Sequence, residues 1–307
     1  MIGRLVDEHL ALHSSFSIWG DLHPFLRETD VNIVNLETAL TQSEKIVPKT
    51  FNFKADPSRV ASLLNGPIHA VNLANNHILD FSEEGLIETI HTLDKANILH
   101  VGAGITSKEA MSPAIFEKKG IRFGLLGCTD NEPSWKAAPH QAGTNYLTIG
   151  DIGKISEQII SVRKKVDLLI LSIHWGPNMR KRPLAEHRSF AHELIDLGVD
   201  ILHGHSAHLF QGIEMYRDKA IFFDTGDFVD DYAIDRDLRN DLSFFFIVET
   251  DGKKLLKIRL IPTRISNFQV NVAKGPERQE IFAEMKRLSA EFQTKLQVQN
   301  DALVLEL

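Results

Sequence analysis

The feature that most constrains this chain is a recurring order: a short apolar run, a polar or titratable cluster, then an amphipathic stretch. Val31–Leu36, Ile68–Leu73, Ile98–Val101, Leu168–Ile173 and Ile201–His203 read as buried strands. Ser82 can cap a helix running to about Ala96, with Leu86, Ile90 and Leu93 on one face. Pro183 opens another that carries Leu184, Phe190, Leu194 and Ile195 and stops at Gly198. Strand, helix, strand in that order implies right-handed parallel crossovers. Two regions read instead as antiparallel. Ala114–Glu117 and Ile121–Leu126 flank Lys118-Lys119-Gly120 as a hairpin. Phe210–Tyr216 turns through Arg217-Asp218 into Ile221–Phe223, later joined by Phe244–Val248 and Leu255–Ile261. From Glu277 to about Gln293 the pattern is a polar terminal helix. With no repeat or low-complexity linker, one domain is expected, its main body spanning residues 1–270 and a helical extension 271–307.

Composition narrows the function classes. A net charge of -7 in 307 residues argues against a broad phosphate-backbone surface, hence against nucleic-acid binding. Arg180-Lys181-Arg182 is a local basic cluster that reads as a solvated face. The single cysteine, Cys128, excludes an internal disulfide and a thiolate-rich metal site, and its apolar setting suggests a core residue. No apolar stretch approaches the roughly 18 residues of a membrane span. Asp7-Glu8 stands where a signal peptide would be apolar, so a cytoplasmic home is expected as written.

The polar clusters fall at the carboxyl ends of the strands, where open α/β sheets place their ligands. Glu37, in Asn35-Leu36-Glu37-Thr38, is either a metal-binding carboxylate or the start of a surface loop. Asn75, Asn76 and His77, with Asp80 three residues on, offer an amide oxygen and an imidazole, or else a capping turn before the next helix. His174 precedes Trp175 and Gly176, and such a ring is often simply packed. His203-Gly204-His205-Ser206-Ala207-His208 is harder to explain as packing. Imidazole is the commonest transition-metal ligand, and Gly204 permits a close backbone turn. Asp224-Thr225-Gly226-Asp227, with Asp230 and Asp231 nearby, is a tight acidic turn or part of a substrate pocket. Together these donors are nitrogen and oxygen without thiolate, a set suited to Mn, Fe or Zn, with Mg disfavoured by the imidazoles.

In their order these motifs resemble the capsule poly-γ-glutamate synthesis family (the CapA type). The match runs through Asn35–Thr38, Ala74–Asp80, His174–Gly176, Gly204–His208, Gln211–Glu214 and Asp224–Phe228, over roughly residues 1 to 250. That family looks like a branch of the calcineurin-like metallophosphoesterases, so the resemblance implies a four-layer αββα sandwich with mixed sheets and a two-metal centre. It further implies Glu37, Asn76, His174, His205 and His208 as metal ligands, His77 as proton donor to the leaving group, and Asp80 as its orienting partner. Asn75, Trp175 and Asp227 are expected to line the substrate pocket.

The chain departs from the family pattern in three places. Asn178 stands where many relatives have Glu, and Ser206-Ala207 replace a His-Pro pair. Met1-Ile2-Gly3-Arg4 is similar to a segment that in relatives follows a strand ending in Gly-Asp. A start just after that strand and its metal-binding aspartate is therefore expected, and weakened metal binding with it; the missing stretch could carry an export signal, as relatives can be membrane-associated or extracellular. The resemblance implies a metal-dependent phosphoesterase-like hydrolase in capsule polymer synthesis, acting on an anionic polymer or a phosphorylated small molecule. The alternative is a non-catalytic accessory or scaffold protein of a polymer-synthesis complex.

Overall fold

The computed structural model describes residues 1–13 and 15–307. Strands β1 (Ile33–Asn35), β2 (Ala70–Asn72) and β3 (Leu99–Val101) form a parallel sheet in that order. A second, six-stranded sheet is built from β4 (Ala114–Lys118), β5 (Ile121–Thr129), β6 (Leu168–His174), β7 (Ile201–His205), β8 (Ile213–Tyr216) and β9 (Lys219–Phe222). Its order is β8-β9-β7-β6-β5-β4, with β5, β6, β7 and β9 parallel and an antiparallel hairpin at each edge. The third sheet, antiparallel, comprises β10 (Leu242–Thr250), β11 (Leu255–Ser266), β12 (Gln269–Val272), β13 (Gln297–Gln299) and β14 (Ala302–Glu306).

The two-residue periodicity of β6 explains how these sheets stack. All seven of its residues are buried, because both faces are covered. Leu168 and Ile170 point into an interior shared with Ala70, Val101, Phe222, Phe244, Ile258 and Leu260, drawn from all three sheets. Leu169, Leu171 and Ile173 point the other way, onto helices α5 (Gly153–Arg163) and α6 (Ala185–Asp196) through Ile159, Val162, Phe190 and Leu194. The opposite outer layer is made by α1 (Leu5–Leu12), α2 (His23–Glu28), α3 (Val60–Asn65) and α4 (Ser82–Lys95), whose Val6, Leu10, Leu26, Leu63, Leu86, Ile90 and Leu93 pack with Val71, Ile247 and Ile261. Helix, sheet, sheet, helix is the four-layer αββα arrangement. Cys128 is fully buried in the α5–α6 layer, where burial pushes its thiol up, so it is a core residue.

Three expectations need amendment. The strand read as Val31–Leu36 is only Ile33–Asn35, and all three residues are half-buried. It lies at the end of its sheet, as β10 does in its own, and both strands border one cavity of about 610 Å³ that reaches Glu37, His205 and His208. The C-terminal extension is not purely helical. After α7 (Gly275–Ala290), β13 and β14 form a hairpin through Asn300-Asp301, both at positive φ (46° and 64°), the backbone of a tight two-residue turn. Arg182 and Lys181 are not merely solvated; Arg182 pairs with Glu291 just after α7 and Lys181 with Glu284 within it. Among the described residues no helix is long and apolar enough to cross a membrane.

Because Leu194 is wholly buried between α6 and the second sheet, Leu194→Ala leaves a cavity there. It should lower unfolding free energy by about 2–5 kcal/mol in urea titrations, with the denaturant slope unchanged.

Candidate metal centre

The carboxyl ends of β1 and β2 in one sheet, and of β6 and β7 in the other, open on a common region. Register does much of the placing: β6 and β7 run parallel with His174 directly opposite His205. Their Nδ1 atoms lie 2.9 Å apart. Gly204 is required between the neighbouring histidines, since a Cβ there would sit 2.0 Å from the Phe223 carbonyl oxygen. Ser206 and His208 both take positive φ (133° and 59°), so the chain leaves β7 in a conformation that side chains rarely adopt. That turn brings the His208 ring back, with Nδ1 2.8 Å from Asp227 Oδ1.

Glu37 is buried just beyond β1. One of its oxygens accepts from Asn35 Nδ2 at 3.0 Å; the other, Oε1, has no hydrogen-bond partner and lies 4.0 Å from His174 Nε2. Burial alone would push its carboxyl up, yet the fields of His174, His208 and His77 hold it below the usual carboxylate range. His174 itself is driven down to about 4, chiefly by burial, and burial also takes His205 well down and His203 to about 4. His208 goes the other way. Burial opposes its charge, but Asp227 raises it to about 10, making an imidazolium–carboxylate pair. His208 is therefore a cation held beside Glu37 by Asp227.

His77 and Asp80 form a second unit on the loop after β2. Nδ1 of His77 lies 2.6 Å from Asp80 Oδ2, which also accepts from Phe53 N at 2.7 Å. Asp80 Oδ1 accepts from Lys49 at 2.9 Å, and the same ammonium binds the Asn76 carbonyl oxygen. With Nδ1 engaged, Nε2 is the ring atom left for a substrate. Asn76 adds a buried side-chain oxygen, Oδ1, that has no partner.

Two expected pocket residues have their polar atoms committed elsewhere. Asn75 is fully buried and ties the two strand ends together, donating to Asn35 Oδ1 and the Leu36 carbonyl while accepting from His77 N. Trp175 faces the α5–α6 layer, with its indole N–H donating to the Phe223 carbonyl at 2.8 Å. Asp227 borders the cavity, and its Oδ2 is buried without a partner. Several neighbours carried no signal in the sequence. Lys49 is an isolated lysine in a loop, Ser172 bridges His203 and His205 through its hydroxyl at 3.0 and 3.1 Å, and Tyr232 stands edge-on to His208 with ring centres 5.0 Å apart. Asp224 belongs to the acidic turn; burial pushes it up to about 7 while it caps Ala207 N and Gly226 N.

Whether this set suits a cation can be judged from its unsatisfied atoms. Buried oxygens without partners are costly, and Glu37 Oε1, Asn76 Oδ1 and Asp227 Oδ2 are three such acceptors in a histidine-rich region. Their chemistry fits a divalent cation. Their arrangement is not preformed: among the described residues, no three His, Cys, Asp or Glu side chains already surround one point as a metal-holding group.

Comparison with known proteins supplies the family. The family described as "Bacterial capsule synthesis protein PGA_cap" matches residues 1–232. A "probable polyglutamine synthesis accessory protein" of Mycobacterium tuberculosis is 30% identical over 303 residues, covering 93% of this chain and 80% of that protein. The "PGA biosynthesis protein CapA" of Bacillus subtilis is 28% identical over 234 residues, 75% of this chain and 61% of that one. Among solved structures, a hypothetical protein from Thermus thermophilus aligns over 83% of this chain and 94% of its own with 11% identity and a TM-score of 0.44, and the B. subtilis calcineurin-like phosphoesterase YfkN over 75% and 73% with 13% identity and a TM-score of 0.34. On the extent of the family match and the identity to its mycobacterial relative, this chain belongs to the bacterial capsule synthesis PGA_cap family.

Proposed function

We propose that this protein is a metal-dependent, phosphoesterase-like hydrolase working in the synthesis of poly-γ-glutamate or a related capsule polymer. The reading is carried by one juxtaposition: partnerless buried oxygens of Glu37 and Asn76 beside the His174–His205 pair, next to a histidine whose Nδ1 is fixed by a carboxylate. Glu37, Asn76, His174, His205 and His208 would hold the metal. When bound, such an ion activates water and stabilises charge on a phosphoryl oxygen. His77 would hand its Nε2 proton to a leaving oxygen, while Asp80 fixes the ring through Nδ1. Lys49 in turn fixes Asp80.

A second reading, a non-catalytic accessory subunit of a synthesis complex, is favoured by the incomplete arrangement of donors and by the "accessory protein" in the mycobacterial relative's name. Two measurements separate them. In thermal melts, Mn²⁺ at a hundredfold excess over its Kd should stabilise the protein by about 2.7 kcal/mol, and the His205→Ala, His208→Ala double variant should lose that stabilisation. In an assay with bis(p-nitrophenyl) phosphate, His77→Gln should lower kcat by roughly 10²–10⁴-fold while keeping the Mn²⁺-induced stabilisation. A wild-type protein that neither gains stability from Mn²⁺, Fe²⁺ or Zn²⁺ nor turns over the ester would leave the accessory reading standing.

A further inference from the structure

The proton-donor unit has an arginine beside it that neither metal holding nor proton transfer uses. Arg4 precedes α1, adopts φ of 48° and makes no side-chain hydrogen bond to the helix end. The guanidinium is fixed in two ways. Its Nε donates to Asp231 Oδ2 at 3.0 Å, and that buried carboxylate also accepts from Leu5 N at 3.1 Å. Its carbon lies 4.7 Å from the centre of the Phe53 ring and 5.7 Å from that of Phe51, within cation–π range. Phe53 is itself fully buried. Its backbone N–H binds Asp80, its ring meets His77 edge-on with centres 4.5 Å apart, and Tyr232 closes its other side at 5.8 Å. Phe53 thus touches both the guanidinium and the imidazole.

What matters is which donors remain. Among the described residues, the two terminal nitrogens of Arg4 make no hydrogen bond, and the side chain keeps 32% of its exposure. Lys49, the other cation at the dyad, is committed to Asp80 and the Asn76 carbonyl, with Glu132 3.9 Å away. Arg4 is therefore a cation whose position is set by Nε and by stacking, and whose planar fork is still available. Such a fork matches a carboxylate or phosphate with two parallel hydrogen bonds.

We propose that Arg4 reads a second anionic group on the substrate, a carboxylate or phosphate alongside the group that reaches His77, so the site prefers polyanions to single anions. This rests on the reading above that His77 faces the substrate. It gives Arg4 a specificity role and His77 the proton.

Calorimetric titrations in constant Mn²⁺ test it with three probes: inorganic phosphate, fructose 1,6-bisphosphate and γ-glutamylglutamate. The wild type should bind at least one of the two larger probes more tightly than phosphate, and which one identifies the second group as phosphate or carboxylate. Arg4→Gln should weaken that probe roughly tenfold or more and leave phosphate within about twofold. Arg4→Lys should recover only part of the loss, because a point charge cannot form the fork. Asp231→Asn, which loosens the anchor and keeps the cation, should reduce the preference without abolishing it; Arg4→Lys carries the test if Arg4→Gln does not fold. Equal weakening of all three probes by Arg4→Gln would overturn the proposal and make Arg4 a clamp on Asp231. So would a wild type with no preference, or an Arg4→Gln protein that binds as the wild type does. A protein that shows the preference and hydrolyses no ester would refute catalysis while leaving this inference intact.

Discussion

The apolar layer between the sheets is what every other feature depends on. Leu168, Ile170, Ile201 and Phe222 from one sheet, with Ala70, Val101, Phe244, Ile258 and Leu260 from the other two, form one apolar interior that sets the register of the strands and borders the cavity through Leu168, Ile170, Ile201, Phe222 and Phe244. Because strand residues alternate between faces, a shift of one residue in β6 would put Leu169, Leu171 and Ile173 into that interior and turn His174 away from His205. The position of polar atoms at the strand ends is thus a product of hydrophobic packing well away from them.

This explains why so much of the architecture was legible in the sequence. Strongly periodic segments such as Leu168–Ile173 and the Ser82 helix fall close to where apolar spacing puts them, since burial on two faces or one stripe leaves few alternatives. Short elements behave differently. β1 is three residues long and half-buried because only one of its edges is paired, a fact of neighbours rather than of its own residues. The terminal hairpin is encoded by Asn300-Asp301, a turn signal overshadowed by the preceding polar helix. In the site, the histidines announce themselves by type and spacing. Lys49, Phe53, Tyr232 and Arg4 do not, because a loop residue's role depends on where long-range folding brings it. The committed side chains of Asn75 and Trp175 illustrate the converse: two polar groups at a strand end can be consumed in holding the strand end together.

The charges around the centre are arranged as alternating pairs. Asp80 lies between His77 and Lys49, Asp227 pairs with His208, and Asp231 pairs with Arg4. Buried ions of either sign are expensive alone, and Asp80, Asp227 and Asp231 each have a basic partner. The pairing leaves Glu37 as the carboxylate whose opposite charge is nearby without being in contact. That imbalance is what a cation would correct.

One feature of the sheets has a bearing on solvent. β1 and β10 each keep one edge without a strand partner, and both edges border the same cavity, whose inner end is formed by Glu37, His205, Ser206 and His208. Main-chain N–H and C=O groups along those edges must find hydrogen bonds, and water is the partner at hand. The paired rows of open backbone form a template onto which an extended chain could add, the kind of exposed edge that folded proteins ordinarily cover.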